Sequence, residues 1–169
     1  MNKLTLVSML AITLSYNVTG AQIEDNSWYR DAKNYQKYWV LSENSSFQGR
    51  MQKIQTGESA DPFIEFRLVT SSEYCKDKSE NFYLDKTFQV NNRDILFRSI
   101  CYKNRYLNAY PVSKEGSEYI LNQFYRYKGN KVTFVIPYKS SPDKVFHFQK
   151  KNFKEYYNAI NESLKERID

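Results

Sequence analysis

In Phe63-Ile64-Glu65-Phe66-Arg67-Leu68-Val69, Ile64, Phe66 and Leu68 fall on one side of an extended chain while Glu65 and Arg67 fall on the other. That two-residue period predicts a strand with one face buried and one wet. Residues 82–90 and 94–102 flank Asn91-Asn92-Arg93. Asparagine tolerates positive φ, so this segment predicts a tight hairpin joining two antiparallel strands. Upstream, residues 22–36 are polar and read as a loose or briefly helical stretch, which makes Tyr38-Trp39-Val40-Leu41 the first ordered piece.

The rhythm changes in the second half. Across residues 113–128, Ile120, Phe124 and Tyr127 share one helical face with Leu121 and Tyr125 beside it, and Gly129 stands where a helix would stop. Val132-Thr133-Phe134-Val135-Ile136 and Val145-Phe146-His147-Phe148 then read as two short strands across a Ser-Ser-Pro-Asp turn. Finally Asn152 can cap a helix with Glu155 three residues on, and Phe153, Tyr156, Tyr157, Ile160 and Leu164 recur at helical spacing. The expected fold is mainly β to α+β. It is a single antiparallel β-sandwich or open sheet with an inserted helix and a C-terminal helix.

The start of the chain sets the compartment. A basic residue at Lys3, a mostly apolar run over residues 4–14 and small residues at Thr19-Gly20-Ala21 are the parts of a cleaved export signal over residues 1–21. Residues 22–169 then form one exported domain, periplasmic or secreted, with no transmembrane segment. Export gives meaning to the only two cysteines. Cys75 and Cys101 are expected to form a disulfide, since an even pair in an oxidising compartment is usually bridged.

Composition adds three constraints. Fifteen tyrosines and eleven phenylalanines mean that a short chain can still bury a large core. The net charge of +6 is spread among interleaved acidic residues, which argues against nucleic acid and leaves a protein or an anionic surface as partner. With only five glycines, a phosphate-cradling loop is disfavoured, and no nucleophile elbow or zinc helix motif occurs. No metal or cofactor is expected. His147, the sole histidine, alternates away from Phe146 and Phe148, and Glu65, Asp85 and Asp94 are carboxylates that sequence cannot bring together. Binding is therefore favoured over catalysis. Tyr102, Lys103, Arg105, Tyr106 and Tyr110 are the candidate contact residues, because tyrosine and arginine are enriched in binding hot spots and this cluster follows a disulfide-anchored cysteine. The competing reading packs Tyr106 and Leu107 under the helix.

Cys101, the helix that follows it, Lys128-Gly129-Asn130-Lys131-Val132-Thr133-Phe134 and Lys151-Asn152-Phe153-Lys154-Glu155-Tyr156-Tyr157-Asn158-Ala159-Ile160 together resemble the invasion-associated locus B family of exported bacterial proteins. The likeness runs from about Cys101 to Ile160. Gln149 and Asn152 stand where that family has serine and glycine. The resemblance implies a β-rich envelope protein linked to host-cell interaction and virulence. Two alternatives remain open: a periplasmic inhibitor or immunity protein against a toxin or cell-wall hydrolase, and a secreted β-barrel carrier of a small apolar ligand. Against the carrier, fewer strands are evident than the eight of a lipocalin-like barrel.

Overall fold

Alternation dominates the chain, and the structure turns it into one curled antiparallel sheet, a half-barrel of nine strands. This is a computed structural model in which residues 26–34, 36–55, 61–78, 83–138 and 140–165 are described. The strands are β1 (Tyr29–Arg30), β2 (Lys37–Leu41), β3 (Gln48–Ile54), β4 (Phe63–Ser71), β5 (Tyr83–Val90), β6 (Arg93–Tyr102), β7 (Tyr106–Pro111), β8 (Lys131–Ile136) and β9 (Lys144–Gln149). They lie in the order β1-β2-β3-β4-β7-β6-β5-β8-β9. Among the described residues two α-helices accompany the sheet, α1 (Lys114–Arg126) between β7 and β8, and α2 (Phe153–Lys165) after β9. The expected export signal lies outside the described residues, as does Phe82.

Local chemistry sets the corners. Asn91 and Asn92 take φ of 45° and 69°, the pair of left-handed residues that a two-residue hairpin turn requires, and β5 and β6 pair directly on either side of them. At the start of α1, the Ser113 hydroxyl accepts the Gly116 amide at 3.1 Å, a standard N-cap. The helix stops at Arg126, earlier than predicted. Tyr127 is extended rather than helical and 49% exposed, so it does not join the buried face of Ile120, Leu121 and Phe124. Its carbonyl is instead held by the Lys150 ammonium as the chain turns back towards β8.

The concave face of the sheet is filled by the two helices. Phe66 on β4 lies at the centre, with ring centroids of Phe134, Phe124 and Phe148 at 5.5, 5.6 and 6.4 Å. Phe124 of α1 stacks on Phe153 of α2 at 5.1 Å, and Trp28 meets both edge-on. The two ends of the sheet approach each other at one seam. Ser42, just after β2, bridges to Phe148 of β9, and the Glu43 amide donates to the His147 carbonyl at 3.0 Å. Cys75, in a single 3₁₀ turn (Glu73–Cys75), is joined to Cys101 on β6, and both are buried.

The half-barrel is one sheet, so of the two expected architectures the open sheet is the one found. Three strands escaped sequence reading. β3 has only Met51 as a large apolar inward side chain, because Gly49 and Lys53 occupy the inward positions on either side of it. A β-carbon there would lie 2.9 Å from Val40 Cγ1 and 3.3 Å from the Phe66 ring, so close approach of the core removes the apolar marker. β7 hides its inward face behind the small Ala109. β1 is two residues long and falls in the stretch expected to be loose or helical, where Trp28 is 1% exposed. With nine strands, the strand-count argument against a ligand-holding barrel no longer applies.

Candidate functional site

The outward positions of six adjacent strands form one row of cations and aromatic rings that ends on a carboxylate. Strand register places Trp39 of β2 opposite Arg50 of β3, and Arg50 opposite Arg67 of β4. Arg67 lies over the Tyr110 ring of β7 at 4.9 Å. Tyr110 faces Arg98 of β6, and Arg98 faces Asp85 of β5. The row follows directly from period-two alternation, since each of these residues neighbours an inward one such as Phe66, Ala109 or Phe97.

The three guanidinium groups are held differently. Arg98 makes a two-pronged bond to Asp85 at 2.9 and 2.8 Å, which raises its own pKa and holds the Asp85 carboxyl below its usual range. Arg67 is bonded to Glu65, two residues away on the same strand. Arg50 has no hydrogen-bond or ion-pair partner among the described residues and rests 5.2 Å from the Trp39 ring. Trp39 is in turn fixed by its indole donating to Asp31 at 2.8 Å. Burial, and then the adjacent charge of Arg67, push Arg50 down to about 10.

Like charges opposite each other on neighbouring strands destabilise a sheet. Buried polar atoms without partners do the same, and Arg50 Nε, Gln52 Oε1 and Asn108 Oδ1 on this face are three of them. The sign for Arg50 follows from linkage. Its folded-state pKa is below the unfolded value, so its charge opposes folding at neutral pH, and that cost is relieved only as pH rises through about 10. Arg50→Met keeps an unbranched stem against Trp39 and removes the charge. The expected outcome is a gain of roughly 1 kcal/mol, read in a melting scan as a Tm higher by about 3 °C.

The five contact residues expected from sequence are partly brought together. Tyr102 and Tyr106 are directly paired across β6 and β7, and with Tyr110 they share the outward face that carries the row. Lys103 and Arg105 sit in the connecting turn, 5.2 Å from the Tyr102 ring and 5.5 Å from the Tyr106 ring. The segment is therefore a hairpin with left-handed residues at Lys103 and Asn104. Comparison with family models, curated proteins and solved structures finds no match for this chain.

Sequence reasoning missed Trp39, Arg50, Arg67 and Arg98 as members of this face. The outward direction of Arg67 was visible in the alternation, but its neighbours depend on strand order, which no local pattern carries. The other chemical candidates are dispersed. Glu65 and Asp85 each serve an arginine and are separated by β7 and β6, and Asp94 pairs with Gln89 next to the β5–β6 turn. His147 Nδ1 lies 2.9 Å from the Thr133 hydroxyl beside the seam. Among the described residues, no group of three or more His, Cys, Asp or Glu could hold a metal ion. Among them also, no helix is long and apolar enough to cross a membrane.

Proposed function

We propose that this chain is an exported protein that acts by binding rather than catalysis, and that its partner presents acidic groups to the convex face of the half-barrel. The observation that carries this reading is Arg50, a half-buried guanidinium set opposite Arg67 and bonded to no acid among the described residues, the nearby Glu65 carboxylate being bonded to Arg67 instead. In the free protein Glu65 and the Trp39 ring offset only part of this cost, whereas a partner carboxylate placed between the two guanidinium groups relieves both the repulsion and the missing hydrogen bonds. Trp39, Tyr110, Tyr102 and Tyr106 supply the rigid aromatic surface that surrounds charged contacts in protein interfaces.

An acidic protein is favoured over a polyanionic surface because the guanidinium groups of the row are few, and two of the three, Arg67 and Arg98, already hold a carboxylate. The disulfide suits an oxidising compartment, the periplasm or the exterior, and the likeness to invasion-associated locus B proteins agrees with an envelope setting linked to virulence.

The test is a paired affinity purification with the oxidised wild type and the Arg50→Met/Arg67→Met variant. Both are offered the producing cell's envelope and secreted fractions and, separately, host-cell extract. One protein retained stoichiometrically by the wild type and lost from the variant is the expected result. A partner from the host assigns the protein to host interaction, and a toxin or hydrolase assigns it to inhibition. Partners retained equally by both proteins would show that the convex arginines are not the contact.

A further inference from the structure

The concave side of the same sheet holds a second feature, independent of the convex row. One inward rung runs across four strands as Leu68, Ala109, Ser99 and Leu84, each directly opposite the next. Elsewhere the inward positions carry rings such as Phe66, Phe97 and Phe88, but the centre of this rung has only a methyl and a hydroxymethyl group. The helices fill the sheet around Phe66, Phe124 and Phe153 and do not fill this rung. A cavity of about 360 Å³ results, within the range of small-molecule sites. Leu68, Phe88, Ala109 and Ile136 line it, and the segment anchored by Cys75 contributes Tyr74 to its wall.

Its charge is one-sided. Lys86 and Lys144 line the cavity and, among the described residues, no aspartate or glutamate does. Lys86 points inward from β5, with its ammonium 3.8 Å from the Tyr138 ring, and the Lys144 ammonium lies 4.8 Å from the Phe47 ring. Neither lysine forms an ion pair among the described residues. An inward lysine on a strand whose other inward positions are Leu84, Phe88 and Val90 breaks the apolar pattern, and its contact with the Tyr138 ring leaves the charge without an anion among the described residues.

We infer that this cavity binds an amphipathic carboxylic acid, with a medium-length hydrocarbon chain against Leu68, Ala109 and Ile136 and its carboxylate held by Lys86 and Lys144. An uncharged apolar ligand would cover the half-buried Lys86 ammonium without pairing it and leave the exposed Lys144 unused, and a multiply charged ion would leave the apolar floor unused. A single acidic head on an apolar body meets both demands.

Titration calorimetry with decanoate on the oxidised protein tests this, with decanol as the uncharged probe of equal chain length. The expected result is saturable one-site binding of decanoate, weakened about tenfold in Lys86→Gln and again in Lys144→Gln, with decanol bound more weakly than decanoate by the wild type. Ala109→Leu fills the floor and abolishes binding of both probes. Should that variant not fold, the two lysine variants, altered at partly or fully exposed side chains, decide the question. Absence of decanoate binding, equal affinity for decanol, or affinity unchanged in both lysine variants would overturn the assignment. The Arg50→Met/Arg67→Met variant keeps decanoate binding, so failure of this site and failure of the convex face are read separately.

Discussion

Replacing Cys75 and Cys101 together by serine is expected to lower the melting temperature by about 10 °C. The two residues are 26 apart in sequence, and closing a loop of that size restricts the unfolded chain by about 3–4 kcal/mol. For a chain of this length each kcal/mol is worth roughly 3 °C. The bond also has a local role. It ties the 3₁₀ turn at Glu73–Cys75, which nothing else covalent holds, to the centre of the sheet at β6. Both sulfurs are buried, so the two hydroxyls of the variant add a desolvation cost to the entropic one. A calorimetric scan of the oxidised protein and the variant measures the difference, and the same fall should follow reduction of the wild type. An unchanged melting temperature would mean that the link adds nothing to the fold.

Phe66→Ala is expected to cost about 3–5 kcal/mol, the range for emptying a buried aromatic site. Phe66 is 0% exposed and lies in ring contact with α1 through Phe124, with β8 through Phe134 and with β9 through Phe148. It also packs on Gly49, whose missing side chain exists to admit it. Its removal takes contacts from both helix-facing and seam-facing parts of the core, and no single neighbour can collapse into the gap. Urea unfolding followed by circular dichroism gives the difference from the midpoint at unchanged slope. A loss below about 1 kcal/mol would place the centre of the core elsewhere.

The parts of this fold legible in sequence are those whose signal is local. The β5–β6 hairpin was written in Asn91-Asn92, the face of α2 in Phe153, Tyr156, Tyr157 and Ile160, and the polarity of β4 in Ile64, Phe66 and Leu68. β3 and β7 were not legible because Gly49 and Ala109 interrupt their inward faces, Gly49 being small because Val40 and Phe66 approach it. The same distinction holds for the candidate site. Tyr102, Tyr106 and Tyr110 could be suspected from clustering along the chain, but Arg50 meets Arg67 only because β3 pairs with β4 in one particular register. A shift of one residue would have turned these side chains to the opposite face of the sheet.

The most direct test of the binding reading joins stability and affinity in one substitution. Arg50→Met is measured beside the wild type for its melting temperature and for its affinity for poly-L-glutamate, an acidic polypeptide standing in for the partner surface. The account predicts that the variant melts higher by about 3 °C, and that it binds several-fold more weakly with a shallower dependence on salt. A variant that melts lower, or that binds the polymer as tightly as the wild type, would contradict it. Arg50 would then belong to the sheet's own stability and not to a surface kept for a partner.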